Sequence, residues 1–434
     1  MKHLHGAAAL LGALALGVTA TAAAAQTVTV WTFLDPSKAT GRDRAFKELI
    51  TQFEAANPGI TIKVEPQVFS ELGAKFLLGH RTGTAPDVVF VNAENLGAVV
   101  KSNATADLEK AFIAGWPAGA DGDFYMRAAW DAAKVDGGRY AVPLFPATAT
   151  IFYRKDLFAQ AGIDPATLKT WDQLTDAAKK LTKDTNGDGT PDVWGIGAPL
   201  SVERTAGTTA IVPMIQSGQP EVWDGAACTP HYATPAGEKA IATHAGWITT
   251  DKVMPREALV NNTDDLLEQF AAGRYAMVVA PFARYENAVK SATWNGAANL
   301  AVMPWPTWDG ARSGPQIVTG WFLAAWRNSK NLAAATTFID YLISKDGVLL
   351  WSTVGGQVPT RSSVFDDPKF QTPQFAYMRT MQKAWSDWSF MLPTRCNTAR
   401  FDADLNAAVH RVVLGEADAA KALKEAEAKF TERQ

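Results

Sequence analysis

The segment Asp87-Val88-Val89-Phe90-Val91, in which one aspartate is followed by a continuous apolar run, most limits what this chain can fold into. Such a run is typical of a strand buried on both faces of a sheet. Residues 60–64 alternate like a half-buried strand, and residues 42–57 carry apolar side chains at helical spacing (Phe46, Leu49, Ile50 and Phe53). Strands that alternate with helices predict a mostly parallel sheet with helices on both sides.

An export signal precedes the first strand. After Lys2, residues 6–21 are almost all small or apolar, and Ala23-Ala24-Ala25 offers the small-x-small pattern that a signal peptidase cleaves. The apolar stretch is shorter than the ~20 residues of a membrane-spanning helix. No cysteine lies near the cleavage site, so a lipid anchor is unsupported. We therefore expect residues 1–25 to be a signal peptide and the mature protein to be soluble in the periplasm.

Length and composition point to two domains with a large core. The chain has 434 residues, of which 47% are hydrophobic and 20% charged. A formal net charge of −3 gives no electrostatic footprint for nucleic acid, so we expect no nucleic-acid partner. The sequence lacks His-Glu-x-x-His, Gly-x-Ser-x-Gly, Walker and dinucleotide-binding motifs. A secreted carbohydrate-active enzyme remains the alternative, because a catalytic carboxylate pair has no such signature.

The two cysteines, Cys228 and Cys396, have two interpretations. In an oxidising compartment they could form a disulfide. Alternatively they are two buried free thiols that act as small apolar side chains.

Short motifs in one order extend over nearly the whole chain. They are Val30-Trp31-Thr32, Phe46-x-x-x-Ile50-x-x-Phe53-Glu54-x-x-Asn57-Pro58-Gly59-Ile60, Gly83-Thr84-Ala85-Pro86-Asp87-Val88-Val89, Tyr153-Arg154-Lys155-Asp156-Leu157-Phe158, Thr170-Trp171-Asp172-Gln173-Leu174, Phe270-Ala271-Ala272-Gly273-Arg274-Tyr275-Ala276-Met277 and Pro359-Thr360. This ordered set resembles the carbohydrate-type extracellular solute-binding proteins of ABC importers (family 1), the family that includes maltose-binding protein. Arg154 departs from the Asn that relatives commonly have there.

The resemblance implies an α/β protein with the two-lobed periplasmic-binding-protein (Venus-flytrap) fold, each lobe a mostly parallel sheet flanked by helices. Lobe 1 would comprise residues 26–144 with 322–366, and lobe 2 residues 145–321 with 367–434. A small carbohydrate or polyol would bind unchanged in the cleft of a monomer, which would deliver it to ABC permease subunits in the inner membrane. Delivery to a chemosensory receptor is an alternative.

A sugar site needs aromatic faces for the C–H surfaces and polar groups for the hydroxyls. In open α/β sheets these groups lie at the carboxyl ends of strands. Phe33 and Asp35 follow the first strand, although Asp35 could instead form an Asp-Pro turn. Glu94 and Asn95 follow the strand at 87–91; alternatively, Asn92 caps a helix with Glu94 in its first turn.

Lobe 2 offers further ligand-binding candidates. Glu203 aligns with a sugar-contacting loop of the family, with solvated surface as the alternative. Phe282 and Arg284 directly follow a strand, and relatives often place a stacking aromatic at the position of Phe282. Gly320 would supply freedom at a hinge. Trp321 would either wall the cleft or be a buried hinge tryptophan.

Two arginines widen the range of ligands. Arg395 and Arg400 lie near a region that contacts sugar in maltose-binding relatives. Ala147 and Asp402 stand where those relatives show Glu and Trp, which counts against a maltodextrin. Because guanidinium groups pair well with carboxylates and phosphates, a sugar acid or polyol phosphate is the alternative ligand.

A loop at residues 184–192 is rich in Asp, Asn and Gly. Oxygen ligands stand at positions 1, 3, 5 and 9 of an EF-hand-type loop, as Asp184, Asn186, Asp188 and Asp192. Position 12, which should be Glu, is Gly195. The loop is therefore either a calcium-free turn or a structural calcium site, and calcium is the one cofactor that the sequence suggests.

Overall fold

The chain forms two main β-sheets covered by helices. The computed structural model describes residues 25–202, 210–219, 221–394, 396, 398 and 401–432. The strands within these residues are β1 (Gln26–Thr32), β2 (Ile60–Pro66), β3 (Val88–Asn92), β4 (Lys134–Val135), β5 (Gly138–Arg139), β6 (Val142–Ala147), β7 (Ala149–Arg154), β8 (Trp194–Gly197), β9 (Trp223–Asp224), β10 (Thr229–Pro230), β11 (Tyr275–Pro281), β12 (Leu300–Met303), β13 (Gln316–Ile317), β14 (Thr319–Ala325) and β15 (Ser389–Phe390).

Helices surround the sheets. In the described part of the chain, none of them is long and apolar enough to cross a membrane. They are α1 (Gly41–Ala56), α2 (Leu72–Thr82), α3 (Ala93–Lys101), α4 (Leu108–Ala111), α5 (Arg127–Asp131), α6 (Lys155–Gln160), α7 (Trp171–Leu181), α8 (Ile211–Gln216), α9 (Pro235–Thr249), α10 (Thr263–Ala271), α11 (Tyr285–Ser291), α12 (Gly296–Asn299), α13 (Leu332–Leu342), α14 (Lys345–Thr353), α15 (Ala376–Asp387), α16 (Phe401–Val413) and α17 (Ala419–Thr431).

The first sheet is the centre of lobe 1 and has the strand order β2-β1-β3-β14-β6. β1 is parallel to β2 and β3, whereas β14 is antiparallel to β3 and β6. All strands of this sheet except β14 therefore run in one direction. Residues 88–91 of β3 are completely buried, as their apolar run predicts.

The second sheet is the centre of lobe 2 and has the strand order β12-β7-β11-β8. β11 is parallel to β8, whereas β7 is antiparallel to β11 and to β12. The other three strands, β8, β11 and β12, thus share one direction. Each lobe has one reversed strand in an otherwise parallel set.

The crossing of the chain between the lobes explains the reversed strands. β6 ends at Ala147 and β7 begins at Ala149, so the first crossing between the two sheets is the single residue Thr148. A strand that has just entered a sheet runs away from the crossing. β7 does so after the first crossing, and β14 does so where the chain returns to the first sheet. The remaining strands of both sheets end at the crossing, where the loops that follow them converge.

The strands show where the chain passes between the two sheets. The predicted limits at 144/145 and 321/322 fall inside β6 and β14, both of which belong to the first sheet. In the structure the chain passes from the first sheet to the second at Thr148, leaves the second sheet after β12, and enters the first sheet again at the start of β14. Near the end of the chain, α15 packs against β12, and α16 and α17 pack against α9 in lobe 2.

Local signals in the sequence account for several helices. The side chain of Thr40 accepts a hydrogen bond from the Asp43 amide at the start of α1, and Phe46 and Phe53 are completely buried beneath it. At the start of α7, the Gln173 amide donates to Thr170 Oγ1 over 3.1 Å, and the Thr170 amide donates to Gln173 Oε1 over 3.0 Å. This is the capping box that the spacing of the two residues predicts.

A disulfide joins two distant parts of lobe 2. Cys228 and Cys396 are bonded, with Sγ atoms 2.04 Å apart, and are separated by 168 residues in sequence. The structure thus shows the bonded alternative for the two cysteines.

His244 on α9 is completely buried in lobe 2. Its ring centroid lies 4.8 Å from that of Trp247, and neither ring nitrogen has a hydrogen-bond partner among the described residues. Because charge is costly in an apolar environment, burial lowers the pKa of His244 to about 3. The imidazole is therefore neutral in the folded protein near neutral pH.

We expect His244 to make stability fall in mild acid. Its pKa is about 3 when folded, against about 6.5 when unfolded, so below about pH 6.5 the unfolded state binds the extra proton. This contribution changes by about 1.4 kcal/mol per pH unit. In urea unfolding at pH 7 and pH 5, the loss of stability should be smaller for His244→Leu than for wild type by about 2 kcal/mol. Equal losses would contradict the expectation.

Candidate functional site

The strand ends of both lobes meet around Thr148. At the first sheet's edge, Trp321 of β14 pairs with Asn92 at the end of β3, and Thr319 pairs with Ala147. At the edge of the second sheet, Pro281 at the end of β11 pairs with Ala149. The Phe282 amide donates to the Thr148 carbonyl oxygen over 2.8 Å, which ties the loop after β11 to the crossing.

Three aromatic rings form a cluster at the cleft edge of lobe 1, which we call the aromatic shelf (Phe33, Phe69 and Trp321). The ring centroid of Trp321 lies 4.4 Å from that of Phe33 and 4.6 Å from that of Phe69. Trp321 is only 6% exposed, Phe33 is partly buried, and Phe69 is 47% exposed. The shelf therefore presents an apolar aromatic surface to solvent, supported from behind by Trp321.

Arg42, in the first turn of α1, extends the aromatic shelf with a charge. Its guanidinium carbon lies 5.2 Å from the centroid of the Phe33 ring, within the range of a cation–π contact. Buried Asp43 fixes this turn, because the Asp35 amide donates to Asp43 Oδ1 over 2.9 Å and the Thr40 hydroxyl donates to Oδ2. The loop after β1 and the start of α1 are thus held together beside the shelf.

A cavity of about 930 Å³ lies between the lobes beside Arg42. Its walls come from the start of α1 and residues 353–357 in lobe 1 and from residues 283–290 in lobe 2. Such a volume is within the usual range for sites of small molecules. Among the lining residues are Thr40, Arg42, Arg284, Asn287, Lys290 and Gln357.

Positive charge dominates the lining of this cavity. It contains Arg42, Arg44, Arg284 and Lys290 but one carboxylate, Glu286, which accepts a hydrogen bond from the Tyr377 hydroxyl over 3.3 Å. Desolvation in the cleft lowers the pKa of Arg42 below its ordinary value; Asp43 opposes this, and the positive charge of Arg284 adds to it. Arg42 lines the cavity from lobe 1 and Arg284 lines it from lobe 2, so two like charges face the same space.

Several predicted site residues of lobe 1 form hydrogen bonds with residues close to them in sequence. Asp35 Oδ1 accepts from the Ser37 amide over 3.0 Å and from its hydroxyl, and these two bonds lower the pKa of Asp35. Asn92 caps α3 by accepting from the Asn95 amide over 3.0 Å and from Asn95 Nδ2 over 2.7 Å. Glu94 is exposed in the first turn of α3. The turn at Asp35 and the cap of α3 by Asn92, which were the alternatives to ligand binding at these positions, are thus both present.

In lobe 2, Phe282 lies in the core. It is 1% exposed, because its ring stacks on Tyr377 at 5.2 Å and meets the edge of Trp385 at 4.8 Å. Arg284 faces the cavity and forms an ion pair with Asp264 at 2.9 Å. The remaining predicted ligand-binding residues of lobe 2, Glu203, Arg395 and Arg400, lie outside the described residues.

Gly320 lies where the backbone of β14 closely approaches β6. Its φ is +115°, and a Cβ there would lie 2.0 Å from the Phe145 carbonyl oxygen. Only glycine fits this position, which sets Trp321 at the start of a register shift in β14. Gly320 thus positions Trp321 against Phe33 and Phe69 in the aromatic shelf.

Sequence analysis missed Phe69 and Arg42, the exposed aromatic ring and the cation beside it. Both follow strands that the pattern of residues does reveal, since Phe69 comes three residues after β2 and Arg42 comes after the loop that leaves β1. Searching the loop after every strand for aromatic and basic side chains would have found them.

The loop at 184–192 is held together by its own donors. Asp184 accepts from the amides of Gly187 (2.6 Å) and Gly189 (2.8 Å), and Asp192 Oδ2 accepts from the Thr185 amide over 2.7 Å. Hydrogen bonds from Thr185 lower the pKa of Asp192. Among the described residues, no three His, Cys, Asp or Glu side chains are grouped to hold a metal ion. The carboxylates of Asp184 and Asp192 thus accept hydrogen bonds from amides of their own loop.

Close packing explains why Gly195 occupies the position where an EF-hand has Glu. A Cβ at this position would lie 2.0 Å from the carbonyl oxygen of Ala178, because β8 packs directly on α7. A glutamate could not be accommodated there without separating the strand from the helix.

Comparison with known proteins places these features among transport proteins. The family model described as bacterial extracellular solute-binding protein matches residues 37–348. The sn-glycerol-3-phosphate-binding periplasmic protein UgpB of Escherichia coli is 23% identical, over 84% of this chain and 81% of UgpB. The mannitol-binding protein of Pseudomonas aeruginosa is 26% identical, over 61% of this chain and 59% of that protein. The sugar-binding protein MalE of Xanthomonas citri shares the fold, with a TM-score of 0.79 and 21% identity over 94% of this chain and 97% of MalE.

We expect the loop at 184–192 to keep its shape without calcium. Because amides already donate to Asp184 and Asp192, neither Ca²⁺ nor a chelator should shift the melting temperature, whereas Asp184→Ala should lower it. Differential scanning calorimetry with Ca²⁺, with Mg²⁺ and with EDTA measures both effects. A saturable rise with Ca²⁺ alone would instead establish a calcium site.

Proposed function

Because the chain belongs to the family of bacterial extracellular solute-binding proteins, we propose that it captures a sugar or sugar-like solute between its lobes and delivers it unchanged to an ABC permease in the inner membrane. The relatives named by ligand bind sn-glycerol 3-phosphate and mannitol, both small hydroxylated molecules. A likeness in fold to a sugar-binding protein supports the same class of ligand.

Family and fold agree with the sequence analysis. The match to the family model confirms the predicted membership among solute-binding proteins, and the two sheets joined by Thr148 have the predicted α/β, two-lobed arrangement. The relatives with named ligands are binding proteins, which favours a binding function over the carbohydrate-active enzyme. We further propose that the protein acts as a monomer in the periplasm, the compartment named for UgpB of Escherichia coli.

One observation carries the proposal: an exposed aromatic surface adjoins a polar cavity between the lobes. The Phe69 ring can stack on the C–H face of a sugar or polyol. Asn287 and Gln357 in the cavity offer amide groups that can bind hydroxyl groups. A solute that touches both walls favours the closed arrangement of the lobes, because it binds that state more tightly.

Truncation of Phe69 should weaken solute binding without unfolding the protein. Calorimetric titration with a panel of sugars, sugar acids, polyols and polyol phosphates should find at least one solute that binds wild type. Phe69→Ala should bind that solute about tenfold more weakly, since the stacking surface is lost (about 1.4 kcal/mol).

Leu78→Ala is the matched control. Leu78 is 60% exposed on the surface of α2 and outside the cleft lining, so its truncation should leave affinity unchanged. Chromatography of the solutes after incubation completes the experiment. Chemical conversion of a solute, or equal affinities for wild type and Phe69→Ala, would contradict the proposed function in this form.

A further inference from the structure

The cavity between the lobes carries more positive charge than a neutral sugar needs. Arg42, Arg44 and Lys290 line it together with Arg284, and Glu286 is the single carboxylate among the lining residues. Within the described chain, Arg42 and Lys290 form no ion pair, and the Arg44 guanidinium donates to the Ala39 carbonyl oxygen over 2.8 Å. The lining residues thus carry four positive charges against one negative charge, and Asp43 beside Arg42 and Asp264 beside Arg284 offset this excess in part.

The two cations that matter most come from opposite lobes. Arg42 lies in the first turn of α1 in lobe 1, and Arg284 lies just after β11 in lobe 2. Arg42 rests on the Phe33 ring, which leaves its donors available, whereas Arg284 is paired with Asp264, itself 74% exposed. Exposed ion pairs of this kind are weak, so a ligand can compete for Arg284.

These observations lead to a class of ligand. We propose that the cleft takes a hydroxylated organic anion, whose carboxylate or phosphate group lies between the guanidinium groups of Arg42 and Arg284. Guanidinium groups bind both oxyanions through paired, charge-assisted hydrogen bonds. The hydroxylated part of the ligand then lies against the aromatic shelf, where Phe69 is exposed. This inference rests on the proposed function and specifies its ligand.

The same arrangement couples binding to closure. In the empty cleft, the like charges of Arg42 and Arg284 oppose the approach of the two walls. An oxyanion between them reverses this interaction, because each guanidinium then attracts the shared negative charge. The anion therefore binds the closed state more tightly than the open one, and the equilibrium shifts toward closure.

The test compares probes that share one carbon skeleton: glucose, gluconate and glucose 6-phosphate, with inorganic phosphate as the anion alone. In calorimetric titrations at low salt, gluconate or glucose 6-phosphate should bind at least tenfold more tightly than glucose. Which of the two binds better distinguishes a carboxylate from a phosphate site. Affinity should fall as salt is raised, since the contact is ionic.

Variants assign the contact to its residues. Arg42→Gln and Arg284→Gln should each weaken binding of the anion about 10- to 100-fold, whereas exposed Arg81→Gln at the end of α2 should not. Asp264→Asn should strengthen binding by up to about fivefold, because it frees Arg284. A purely structural role for these residues would not produce that gain. Circular dichroism checks that each variant is folded.

Failure of this inference differs from failure of the proposed function. The anion site is wrong if glucose binds as tightly as both anions, or if neither arginine substitution changes the affinity for the anion. The proposed function would then still hold, with a neutral solute as the ligand. Conversion of a probe into a product would overturn the proposed function itself.

Discussion

A one-residue connection between two sheets is the constraint on which the rest of the structure depends. Thr148 lies between β6 and β7, is buried, and receives hydrogen bonds from Phe282 and from the Trp385 indole. Because so short a link cannot turn the chain around within one sheet, β7 must leave the crossing as β6 arrives at it. The remaining strands then end at this point in both lobes, and their loops have a common space to line.

The two lobes contribute differently to that space. Lobe 1 supplies the aromatic shelf, an apolar surface built from the loops after β1 and β2 and from the start of β14. Lobe 2 supplies polar and charged groups after β11, such as Arg284 and Asn287. Arg42 joins the two kinds of surface, since it touches Phe33 and lines the cavity. The proposed binding site thus draws on both walls of the cleft.

Local patterns in the sequence predicted those elements whose structure depends on neighbouring residues. Buried β3, the apolar face of α1 and the capping box of α7 each follow from residues within about ten positions of one another. Contacts between distant segments could not be foreseen in this way. Phe282 was expected to stack on a ligand, but Tyr377 and Trp385, about a hundred residues later, cover its ring. Phe69 and Arg42 are candidate site residues only because separate loops meet in space.

The return of the chain's last segment to lobe 2 has a consequence for how the protein is made. Helices α16 and α17 pack against α9, and Cys396 is bonded to Cys228, 168 residues earlier. A ribosome or translocon delivers these partners last, so the lobe that contains them must wait unfinished while its counterpart completes its sheet. Chaperones and thiol oxidants would encounter this protein as one mature half attached to one immature half.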